Sequence, residues 1–155
     1  MKLGCYTLRI IFLGMIFVNI SACSSEQAPS FESVNADVLS KIATYEEVAS
    51  KVLLSGADRI SRTGIYPKGV INDEENEWFL AKFDELNLNN GVQVDKEDQI
   101  VEFLYWSTGL VSRGQSLVVL KSGLELKDSV FYGNKIKNNS IECRVIKEGW
   151  YACLS

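Results

Sequence analysis

The chain has 155 residues, of which 20 are acidic, 16 are Lys or Arg and none is histidine. Its formal charge of -4 argues against nucleic acid or an anionic lipid surface as a partner, because binding either needs a basic surface. The lack of histidine removes the usual general base near neutral pH, the imidazole of hydrolase triads and the commonest zinc ligand, so neither a catalytic metal nor a cofactor is expected.

In chain order, Lys2 and Arg9 give a basic start to an uncharged apolar run from Ile10 to Val18. This is the layout of a secretory signal. The run is too short for a stable span, which needs about 20 apolar residues. Ile20-Ser21-Ala22-Cys23 follows: an aliphatic residue, two small residues that fit an extended backbone into a peptidase, and a thiol.

That tetrad resembles the lipobox of bacterial lipoproteins. The resemblance implies removal of residues 1–22, a diacylglycerol group on the thiol of Cys23 and acylation of its new amino group. Each buried methylene contributes roughly 0.8 kcal/mol, so two or more chains hold a protein stably on a membrane where one does not. A serine rather than an aspartate at position 24 resembles the outer-membrane sorting rule of Gram-negative lipoproteins, which places the expected anchor on the outer membrane facing the periplasm. Residues 23–30 then read as the lipidated cysteine and a polar tether, and residues 31–155 as one domain.

Cleavage after residue 22 of 155 leaves 133 residues, enough for one domain. It removes two Lys or Arg and no acids, so 14 basic side chains face 20 acidic ones and the net charge becomes -6. Cys5 leaves with the signal, Cys23 is modified, and Cys143 and Cys153 remain as an even pair in an exported domain, which reads as a disulfide. They flank Lys147-Glu148-Gly149 symmetrically. A three-residue hairpin loop with Gly149 left-handed would set Ile146 against Trp150 and Cys143 opposite Cys153.

In residues 33–55, Val38, Ile42, Tyr45, Ala49 and Val52 recur at steps of four and three, the stripe of an amphipathic helix ended by Gly56. A T-x-x-E pattern at Thr44 and Glu47 allows two helices meeting there. Residues 57–72 read as a loop whose Ile65, Tyr66, Val70 and Ile71 pack down. Asp73 is the expected N-cap of another helix, with Glu74, Glu75 and Glu77 favouring its N-terminal dipole and Phe79, Phe83 and Leu86 facing inward.

After Val92 the pattern becomes extended, with strands expected at residues 99–107, 115–121, 129–132, 141–146 and 150–154. The fold class is therefore α+β: two N-terminal helices packed on one face of an antiparallel meander of about five strands.

Candidate sites are few. Asp95, Glu97 and Asp98 lack the ligand spacing of a calcium loop and read as a solvated turn. The 107–115 connection contains two glycines and Arg113 without the strand-loop-helix context of a phosphate loop, and Arg113 is the residue most suited to a carboxylate or phosphate. No G-x-S-x-G or S-x-x-K motif occurs.

Two classes of function remain. One is a lipid-anchored, non-catalytic module that binds an envelope or imported protein, as an immunity protein, an inhibitor or an assembly factor. Its expected contacts are Trp106, Arg113 and Trp150, residue types that dominate interfaces. The other is a small periplasmic hydrolase using paired carboxylates, for which Glu102 and Glu125 are the candidates.

Overall fold

The structure, a computed structural model, describes residues 27–108 and 115–155. Among these, four α-helices and seven strands run in the order α1 (Phe31–Ser40), α2 (Ile42–Ser55), β1 (Arg59–Ser61), β2 (Gly64–Tyr66), α3 (Asp73–Leu86), β3 (Val92–Asp95), β4 (Ile100–Ser107), β5 (Ser116–Ser122), α4 (Val130–Lys137), β6 (Glu142–Lys147) and β7 (Trp150–Leu154). A 3-10 turn, Leu126–Asp128, precedes α4. The strands form one antiparallel sheet in the order β2-β1-β3-β4-β5-β7-β6.

The helix boundaries follow their caps. The hydroxyl of Ser30 accepts from the Ser33 amide to start α1. The break between α1 and α2 falls at Lys41 (φ -118°, ψ 15°), three residues before the T-x-x-E pattern expected to mark it. The N-cap of α3 is Asn72 rather than Asp73. Its side chain accepts from the Glu75 amide at 2.9 Å while Glu75 returns a bond to the Asn72 amide, a reciprocal capping box.

Both faces of the sheet are covered, not one as the sequence suggested. On the first face, Val101 and Phe103 of β4, Leu117 and Val119 of β5, and Trp150 and Ala152 of β7 lie beneath α1, α2 and α3. Tyr45, Phe103 and Trp150 meet there with ring centroids 5.0 to 5.9 Å apart. On the second face the alternate residues Ile100, Leu120 and Cys153 pack with Leu126, Tyr132 and Ile141. Period-two alternation thus divides one sheet between a large core and a small one.

Residues 129–132 are not a strand. Ser129 caps α4 through its hydroxyl, which accepts from the Tyr132 amide at 3.1 Å. Gly133 lets the helix close onto the preceding turn, where a Cβ would stand 2.4 Å from the carbonyl oxygen of Lys127. Strands β1, β2 and β3 were also unforeseen. The expected 57–72 loop contains a three-residue hairpin pairing Arg59 with Tyr66 and Ser61 with Gly64.

The disulfide joins Cys143 and Cys153, which are directly opposite on β6 and β7 with Cα atoms 4.1 Å apart. Gly149 is left-handed (φ 72°) as the hairpin requires. The turn differs in one respect: Lys147, not Ile146, stands opposite Trp150, and the register shifts between Val145 and Lys147. Ile146 is therefore bulged out of the ladder, and the expected cysteine pairing is reached with a tighter turn.

Candidate functional site

The expected contact residues do not form a common surface. Trp150 is completely buried, because its strand position sends it under α2 against Tyr45 and Phe103. It is a core residue, which corrects its assignment as a contact. Trp106, near the end of β4, is half-buried against the large core, and its Nε1 finds no partner among the described residues. Arg113 and Cys23 lie outside the described residues.

The acidic turn is built as an Asx turn, in which Asp95 Oδ1 accepts from the amides of Glu97 (3.0 Å) and Asp98 (3.2 Å). No group of three or more metal-ligating side chains occurs among the described residues.

The carboxylate candidates are placed differently from each other. Glu125 sits exposed beside the 3-10 turn and pairs with Lys127 at 2.6 Å. Glu102, on the second face of β4, accepts a hydrogen bond from the hydroxyl of Tyr132 on α4. Burial raises the Glu102 carboxyl above its ordinary range; the Tyr132 bond and Lys135 act against that shift, and Asp95 adds to it. Its charged neighbours are thus Lys135 and Asp95 rather than Glu125. Burial and the negative Glu102 also push the Tyr132 hydroxyl upward, which keeps it a donor. A second hydroxyl-carboxylate bond, from Ser129 to Asp98 at 2.7 Å, lies at the start of the same helix. The pair of bonds fastens α4 to β4 and to the turn before it.

Two surfaces stand out instead, at opposite edges of the sheet. At the β6 edge, an open groove of about 960 Å³ runs between the β6–β7 hairpin and the 122–127 segment. Leu124, Ile136, Tyr151, Cys143 and Val145 line it, and Val145 is 68% exposed. Lys121, Lys127 and Lys147 share its rim with Glu46, Glu125 and Glu148. Lys147 bonds Glu46 at 2.7 Å, which holds the Glu46 carboxyl below the usual range. At the β2 edge, Tyr66 is 66% exposed and Val70 projects from the loop after it, while Ile65 and Ile71 pack inward as expected. Leu54, in the last turn of α2 leading into β1, is 88% exposed.

The expectation that Tyr66 and Val70 pack down is corrected, since both are exposed; Tyr66 and Val145 lie on the strands that end the sheet, which the sequence does not reveal, and Leu54 was not singled out. The aromatic directly before Pro67 was the available signal for Tyr66, since that dipeptide marks a turn. No family model, no curated protein and no solved structure matches the chain.

Proposed function

We propose that this chain is a lipid-anchored envelope protein, attached through Cys23 to the outer membrane and facing the periplasm, and that it acts by binding a partner protein. The anchor rests on the lipobox-like Ile20-Ser21-Ala22-Cys23. The binding role rests on the β2 edge, where Tyr66 and Val70 leave apolar surface in solvent. An exposed aromatic beside an open strand edge is a typical anchor for a protein contact.

The two edges are well separated. The ring of Phe31, at the start of α1, lies 4.5 Å from the Arg144 guanidinium on β6, so the tether joins the domain at that edge. Six strand spacings separate β6 from β2, about 29 Å at the usual inter-strand distance. A partner reaching the β2 edge would meet the side of the domain farthest from the anchor.

The test is capture from crosslinked envelopes with the wild type beside Tyr66→Ala and Trp106→Ala. A specific partner should be lost with Tyr66→Ala, whose fold stays intact because the side chain is exposed. If no partner appears while the purified chain turns over peptidoglycan fragments or ester substrates, the carboxylate enzyme replaces this reading, with Glu102 as its first candidate.

A further inference from the structure

We infer that residues 123–141, the connection carrying α4, form a strap that opens away from the second sheet face as a unit, with Glu102 as its proton-sensitive catch. The inference is carried by the path of the chain and by what fastens it.

In the sheet order β7 stands between β5 and β6, so the chain leaving β5 at Ser122 must cross β7 to begin β6 at Glu142. It crosses on the second face, where Leu126, Tyr132 and Ile141 cover Ile100, Leu120 and Cys153. The ladders close without it: β5 and β6 each pair with β7, and the Cys143–Cys153 bridge ties β6 to β7 as well. The large core lies on the other face. Lifting the strap therefore uncovers the small core and leaves the β5–β7 and β6–β7 ladders and the large core in place. Turns at its two ends supply the hinges, one at 122–124 and one at 138–140, where Asn139 is left-handed (φ 52°).

Carboxylates fasten the strap: Ser129 donates to Asp98 at 2.7 Å and Tyr132 donates to Glu102. Glu102 lies beneath it. Tyr132 and Lys135 face this carboxyl from α4 and Asp95 from β3, while its ladder partners, Gln93 on β3 and Leu120 on β5, carry no charge. Burial outweighs the Tyr132 bond and Lys135 and raises the carboxyl above its ordinary value, so the closed state holds the proton more tightly than the open one. Closure is favoured at low pH. Between the ordinary value of 4.5 and the raised one, opening becomes easier by up to about tenfold per pH unit, the limit for one proton. A helix of eight residues does not persist in water without packing, so a lifted strap also gives up the amide bonds of α4.

Amide hydrogen exchange of the exported chain with its disulfide intact, read by mass spectrometry, tests this. Amides of residues 133–140 should exchange faster than those of β5 and β7. After correction for intrinsic rates, their exchange should climb by up to about tenfold per pH unit from mildly acidic toward neutral pH. Glu102→Gln keeps an acceptor for Tyr132 and should abolish the climb while α4 stays protected. Tyr132→Phe, which loses a bond that favours the charged carboxyl, should loosen α4 at each pH and extend the climb to higher pH. The β5 and β7 amides report in the same spectra that each variant keeps its fold. Exchange of α4 in step with β5 and β7 at every pH overturns the strap, and a climb of wild-type slope in Glu102→Gln overturns the catch.

Discussion

The hydroxyl of Tyr132 donates to the carboxylate of Glu102 across the small core, joining α4 on the second sheet face to the middle of β4. Removing the donor by Tyr132→Phe leaves a largely buried carboxylate short of a partner and should cost about 1–3 kcal/mol in urea unfolding. Glu102 also makes stability depend on pH. Its folded carboxyl is raised above the ordinary value of 4.5, so the folded state holds the proton more tightly than the unfolded chain. Stability from this group is greatest below the ordinary value and declines as pH rises through the folded one. Glu102→Gln should flatten that decline in denaturation curves taken from mildly acidic to neutral pH; an unchanged slope would show that burial of the carboxyl is not its source.

The Cys143–Cys153 bridge ties the edge strand to its neighbour across a sequence separation of 10. A loop of that length implies a contribution of about 2–3 kcal/mol. Non-reducing mass spectrometry of protein exported to the periplasm should find the bridge intact, and Cys143→Ala/Cys153→Ala should lower the unfolding midpoint accordingly. Two alkylatable thiols in the exported wild type would refute the pairing.

Trp150 should separate cleanly from Tyr66 in stability measurements. Trp150→Ala empties the junction with Tyr45 and Phe103 and should cost about 3–5 kcal/mol. Tyr66→Ala, at the exposed end of the edge strand β2, should change stability by no more than about 0.5 kcal/mol. A reversal of that order in thermal melts would place Trp150 outside the core.

How far the sequence could be read shows in the same residues. Strand β7 was expected at its observed bounds and α3 with its N-cap one residue late, since each has an apolar pattern with clear turn residues at its ends. Strands β1 and β2 span three residues each, too few for period-two alternation to register. Helix α4 was mistaken for a strand because Val130-Phe131-Tyr132 favours extended structure locally. The Ser129 cap, the Tyr132–Glu102 bond and the close approach at Gly133 outweigh that preference, and two of these depend on tertiary contacts. Trp150 failed as a contact for a related reason: alternation assigns a residue to a face but cannot tell whether that face is covered.

The proposed lipid anchor has a direct chemical test. Metabolic labelling with a fatty acid should tag the wild type and leave Cys23→Ser untagged, with the variant released from the membrane fraction. Equal labelling of both proteins would remove the lipoprotein reading.

The bulge at Ile146 has a consequence for crowding. An unguarded terminal strand offers its free amides and carbonyls as a template for another copy of itself, and high local concentration multiplies such encounters. Here β6 carries Glu142, Arg144 and Lys147 and loses its regular ladder at the bulge, while β2 is three residues long and meets Pro67 at once. Both margins are thus poor templates for another strand, which disfavours edge-to-edge association of copies when the protein is concentrated.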